Sequence, residues 1–216
     1  IAVFSEYTMS KGTTLYSTEL IKAAGMVSES IELLRIWTPG MRPSELRDAA
    51  LRAGTLAKVS SDRVWAITRY GFSLRYLADE QRPAQILKRL VEHGASVPLL
   101  RQLFLLYTAR SNSLFADIAG EYYWQLNARG IKELSKAMIE KFIRSKFGSE
   151  KVPHAWSDSV TDRVASGLMK TLSDFGYIAP GRGKLRSMTP PAILPETICF
   201  IAYEARERKV PDSLVA

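Results

Sequence analysis

Apolar residues recur at helical spacing along almost the whole chain, and strand-like alternation is rare. That periodicity restricts the fold to packed helices, with sheet only where a short segment breaks the pattern. After a polar arm, Ile1 to Tyr16, that includes Lys11-Gly12-Thr13-Thr14, the spacing predicts a helix from about Ser17 to Trp37, ended by Pro39-Gly40. Pro43 suits the first turn of a short helix through Arg52. Ser60-Ser61-Asp62 caps the next, and further helices run from Pro83 to about His93 and from Ser96-Val97-Pro98 to about Arg110. Beyond Ser111-Asn112-Ser113 helices are expected over Leu114–Asn127, Ile131–Phe147, Ser157–Phe175 and Pro195 to about Arg208. The triplet Ser111-Asn112-Ser113 is the best boundary for two packed helical subdomains, 1–110 with the arm and 111–216. The fold class is therefore mainly α.

One region departs from the all-helical pattern and carries most of the functional information. Between Trp156 and Pro191 an amphipathic helix is followed by Tyr177-Ile178, a basic glycine turn, Leu185-Arg186-Ser187-Met188 and a double proline. The two apolar segments can pair as short strands around Gly181-Arg182-Gly183-Lys184, which gives a winged-helix-like unit. On the helix, Val160, Val164, Leu168, Leu172 and Phe175 form an apolar face, while Ser159, Arg163, Ser166, Lys170 and Ser173 fall opposite. Small hydroxyls among long cations suit a helix lying in a groove, with Arg163, Ser166 and Lys170 toward phosphates or base edges. An ordinary solvated helix face has the same composition, and Asp158 and Asp162 in the first turn would repel phosphate. The hairpin tilts the balance: Arg182, Lys184 and Arg186 lie within five residues, with no acid between Ile178 and Pro195. Such a tip would hold phosphates and set salt dependence without choosing sequence.

Charge points the same way. The chain has 30 Lys+Arg against 22 Asp+Glu, a formal net charge of +8, which favours polyanionic partners. From Arg129 to Lys151 seven cations, among them Lys132, Lys136 and Arg144, stand against Glu133, Glu140 and Glu150. They form either the flank of a binding face or a solvated, salt-bridged helix.

Catalytic signatures are absent. His93 and His154 are far apart in sequence and have no metal-ligand spacing; Asp117 and Glu121, one helical turn apart, read as a surface pair. Gly181 and Gly183 lack the spacing of a phosphate-binding loop. Tyr122-Tyr123-Trp124 reads as core packing in preference to base stacking. The single cysteine, Cys199, excludes an internal disulfide framework, and its apolar run Ile198-Cys199-Phe200-Ile201-Ala202 predicts a buried thiol. The longest apolar stretch, Leu99 to Ala109, is interrupted by Arg101 and Gln102 and falls short of a bilayer span. No charged-then-apolar leader is read at the N-terminus. The expectation is a cytoplasmic protein with no membrane contact, no cofactor, no metal and no catalytic residue.

Several segments together resemble the BrxA family, small proteins encoded with bacteriophage exclusion (BREX) defence systems. They are Trp156-Ser157, Thr161-x-Arg163, Leu172-Ser173-Asp174-Phe175-Gly176-Tyr177, and Pro190-Pro191-x-Ile193-x-Pro195-Glu196-Thr197 with Ala202-Tyr203. Leu103-Phe104-Leu105-Leu106-Tyr107-Thr108-Ala109-Arg110 and Asp117-Ile118 add to it upstream. The resemblance implies an all-helical protein with a winged-helix-like part, double-stranded DNA binding, and membership of a defence complex that includes a methyltransferase and an ATPase. The combined expectation is a non-catalytic duplex-DNA-binding protein. The alternative is a protein-interaction subunit of the same complex without significant DNA affinity, and structured RNA stays open as a ligand, since it too rewards a cationic surface.

Overall fold

A computed structural model describes residues 15–56, 59–181 and 183–207. Nine helices and one small antiparallel sheet make up the described residues. The helices are α1 (Val27–Ile36), α2 (Pro43–Ala53), α3, α4 (Arg82–Glu92), α5 (Val97–Ser111), α6, α7 (Lys136–Arg144), α8 (Asp158–Asp174) and α9 (Pro195–Glu207). Helix α3 runs through Ser61–Ala66, a π-helical stretch Ile67–Ser73 and Leu74–Tyr76; α6 through Ser113–Asp117, Ile118–Tyr122, also π-helical, and Tyr123–Ala128. Strand β1 is Glu133–Ser135 and β2 is Leu185–Ser187.

Helix starts follow the capping residues. The hydroxyls of Ser60, Ser96 and Ser157 accept from Arg63 N, Leu99 N and Val160 N, closing donors that no helical carbonyl can reach. Asn112 both ends α5 and caps α6, accepting from Phe115 N at 2.9 Å, so the chain bends there within one residue. A single connected cluster of buried apolar side chains nevertheless extends across that bend, from Trp37 and Phe72 through Phe104 and Phe115 to Leu168 and Phe175.

Two expected elements differ. The helix predicted from Ser17 to Trp37 is present only as α1, preceded by a single 3₁₀ turn, Glu19–Ile21, and an irregular segment. The reason is Arg75, a buried guanidinium that donates to the carbonyls of Ala23 (2.7 Å), Ala24 (2.7 Å) and Gly25 (3.1 Å). Three successive carbonyls turned toward one cation cannot also serve a helix, and Met26 then takes a left-handed φ of 56°. The helix predicted from Ile131 to Phe147 is divided into β1 and α7. Ser135 caps α7 by accepting from Met138 N at 3.2 Å, and the residues before it pair as strand.

Strand β2 pairs antiparallel with β1, in the register Glu133↔Ser187, Leu134↔Arg186, Ser135↔Leu185. The expected partner, Tyr177-Ile178, lies on the other side of β2, joined by the bridge Ile178↔Met188 with Ala179 N→Ser187 O and Thr189 N→Tyr177 O. The order is thus helix α6, strand β1, helices α7 and α8, then the 177–179 segment, a basic turn and β2, a winged-helix-like arrangement.

Candidate nucleic-acid interface

Helix α8 is held on two sides. Its inner face buries Val164, Leu168 and Leu172 and packs most extensively on α7. Along its other edge the 3₁₀ turn approaches so closely that a Cβ on Gly167 would lie 2.8 Å from Leu20 O, and one on Gly25 would lie 2.4 Å from Asp174 Cβ. Only glycine permits this contact between the two chain segments. Arg163, Ser166 and Lys170 remain exposed on the opposite face, as the periodicity requires.

Between α7 and α8 the two acids near the start of α8, Asp158 in its first turn and Asp162 one turn on, each meet a cation. Asp158 accepts from Arg144 at 2.7 Å, and Asp162 accepts from Lys136, which also lies 3.9 Å from Glu140. The hydrogen bond to Asp162 raises the Lys136 pKa, so the ammonium is firmly charged. At the far end Lys170 donates to both oxygens of Asp174 at 3.1 Å. The carboxylates that would repel phosphate are therefore neutralised locally, and so are three candidate cations.

Alternation along β2 sorts the wing residues. Arg186 stands opposite Leu134, so both point to the same face of the ribbon, toward α8. Its Nε donates to Ala179 O at 2.6 Å, and one terminal nitrogen donates to Ser173 Oγ at 2.8 Å and also to Ala179 O. Arg186 thereby ties the turn, the strand and the helix together. Lys184 is exposed and forms no ion pair with another described residue, and Arg182 lies outside the described residues, as do Lys11 to Thr14. Lys132 is exposed beside the ribbon, where its carbonyl accepts from Met188 N at 2.8 Å.

These elements enclose an open cleft of about 870 Å³, lined in part by Ser135, Lys136, Ser166, Lys170, Lys184 and Arg186. Five of the candidate residues converge there; Arg163, Lys132 and Arg144 stand outside its lining. Sequence reasoning missed Ser135, whose position ahead of an amphipathic run is an N-cap signal, and Gly167, which nothing in the local pattern marks.

Other groups considered for chemistry have structural partners. Asp117 accepts from Tyr16 at 2.5 Å and Lys151 at 2.6 Å; burial, then Asp117, push the Tyr16 pKa up. Tyr123 is buried, donates to Tyr177 O at 2.8 Å, and has its pKa raised to about 12 by burial. Tyr122 packs on Phe142 with ring centroids 4.6 Å apart. Among the described residues no group of three or more His, Cys, Asp or Glu could hold a metal ion, and no helix is long and apolar enough to cross a membrane. Cys199, expected to be buried, is exposed, because its apolar run wraps around α9: Thr197, Ile201, Glu204 and Ala205 are buried and Phe200 packs on Tyr107, while Cys199 falls on the outer side.

The family model of BrxA matches residues 14–205, most of the chain. The chain belongs to the BrxA family. BrxA is a component of BREX, so family membership gives the chain a role in phage defence. The BrxA match spans both the α1–α5 half and the winged-helix-like part. A comparison with curated proteins found no match.

Proposed function

We propose that this BrxA-family chain is a non-catalytic, cytoplasmic protein that binds double-stranded DNA within a BREX defence system. The observation that carries the proposal is the cleft, where Lys136, Lys170, Lys184 and Arg186 converge with Ser135 and Ser166 between α7, α8 and the turn. The first turn of α7 also opens on the cleft, and its dipole favours an anion there. In this reading the unit works as a winged helix: Lys184 and Arg182 hold one backbone, Arg163, Ser166 and Lys170 lie along the groove, and Lys132, Lys136 and Arg144 flank it. Arg186 acts mainly as a brace that sets the wing against α8. In this reading residues 111–216 are the binding half, and the segment of the first half around Leu20 and Gly25 supports the edge of α8.

The ion pairs on α8 favour a second reading, in which the seam is satisfied within the protein and the exposed face docks another BREX component. One titration separates the two. Binding of a duplex oligonucleotide is measured by electrophoretic shift at several salt concentrations, with structured RNA as competitor. DNA binding predicts an affinity that falls linearly on a log–log plot, by about 0.9 per phosphate contact. Absence of a shift at low salt, with retention of a co-expressed defence component, overturns it. Plasmid incubated with magnesium is expected to stay intact.

A further inference from the structure

The β1–β2 ribbon has two faces with different chemistry. Leu134 and Arg186 stand opposite each other on the face toward α8. Leu134 is buried, and Arg186 is held by Ala179 O and Ser173 Oγ. Leu185 takes the opposite pleat and stands on the outer face, across from Ser135. It is 57% exposed. A lone exposed leucine is ordinary on a protein surface. This one lies between Lys184 and Arg186, in a stretch with no acid from Ile178 to Pro195. A Cβ on Gly183 would crowd Leu185 O at 3.1 Å, so the glycine keeps this end of the ribbon thin. A branched apolar side chain is thus carried outward on a narrow, cationic projection.

The order of surfaces across the wing parallels the order of features across a duplex. The exposed face of α8, with Arg163, Ser166 and Lys170, comes first and suits the major groove. The cleft, with Lys136, Lys184 and Arg186 in its lining, comes next and suits one sugar–phosphate backbone. Beyond one backbone lies the minor groove, and beyond Arg186 lies the outer face of the ribbon, with Leu185. An isobutyl group gains nothing from phosphate. It gains from the sugar walls and base edges of a groove about 6 Å wide. Glu133 shares this outer face but pairs with Ser187, about 7 Å further along the ladder, where its carboxylate resists deeper entry. We propose, resting on the duplex-binding reading, that Leu185 is a specificity-determining wedge that enters the minor groove next to the site of α8. Guanine projects an exocyclic amine into that groove, and A·T pairs do not. The amine fills the space the leucine needs, so Leu185 favours duplexes without it. The wide, shallow minor groove of duplex RNA gives the side chain no such walls.

Two duplexes of one sequence test the wedge with the full chain, one with G·C pairs and one with inosine·C pairs in their place. Inosine removes the minor-groove amine and leaves the major-groove acceptors of guanine intact. The original chain is expected to bind the inosine duplex several-fold more tightly. Leu185→Ala should lose that preference and bind the inosine duplex about tenfold more weakly than the original chain. Its log–log salt slope should stay the same, because no phosphate contact is removed. Leu185→Met conserves volume and apolar character and is expected to keep the preference. The side chain is largely outside the core, so the urea midpoint of each variant should match that of the original chain. An original chain that binds neither duplex at low salt overturns the duplex-binding reading and the wedge with it. A chain that binds both duplexes equally, or a Leu185→Ala variant that keeps the preference or flattens the slope, overturns the wedge alone.

Discussion

The seam between α7 and α8 and the wing beside it have similar sequences of cations and different electrostatics. In the seam Lys136 and Arg144 each face a carboxylate of α8, and Lys170 is matched by Asp174 within its own helix. In the wing Lys184 faces solvent without an ion-pair partner among the described residues, and Arg186 is held by a carbonyl and a hydroxyl, which leave its charge uncompensated. Counting cations therefore overstates the seam as an attractive surface. What remains to attract phosphate is the difference between each cation and its local acid, and among the candidate residues that difference stays whole at Lys132, Arg163, Lys184 and Arg186, which form no ion pair with another described residue.

Four variants, one single and three double, test this contrast, from the largest effect to the smallest. Arg186→Ala removes charge-assisted hydrogen bonds that join β2, Ala179 and α8; a loss of about 2 kcal/mol in urea unfolding is expected, together with weaker duplex binding. An unchanged midpoint would show that Arg186 is not the brace. Arg163→Ala combined with Lys184→Ala removes two uncompensated cations and should flatten the log–log salt dependence by about 1.8, while stability holds. Lys136→Ala combined with Arg144→Ala is expected to flatten it much less, because the two cations already answer Asp162 and Asp158; an equal or larger change would erase the distinction between seam and wing. Asp158→Asn combined with Asp162→Asn frees those cations, so duplex binding tightens and its salt dependence steepens. The same pair should alter stability by no more than about 1 kcal/mol, the usual range for exposed ion pairs.

Much of the architecture was legible because it depends on local spacing. Ser157 and the apolar period behind it place α8 within one residue at each end, Pro43 and Ser96 do the same for two other helices, and Ser60 and Pro195 mark the starts of two more. Elements whose reason lies far away in sequence were not legible. Residues 17–26 have helical periodicity, yet a guanidinium some fifty residues later takes their carbonyls. Glu133–Ser135 reads as the start of a helix until β2, about fifty residues on, supplies its backbone partner.

The candidate site divides in the same way. Sequence alone determined that Arg163, Ser166 and Lys170 share the outer face of one helix, and that a basic turn follows it, since helical period and turn composition are properties of neighbouring residues. It also determined the family, through segments distributed over most of the chain. Only the tertiary structure decided which cations keep their charge free. Ion pairing and strand register bring together residues such as Lys136 and Asp162, or Arg186 and Ser173, whose separation in sequence follows no period. A strand's pleat then sends Arg186 inward, while Lys184, two residues earlier and outside the ladder, stays in solvent.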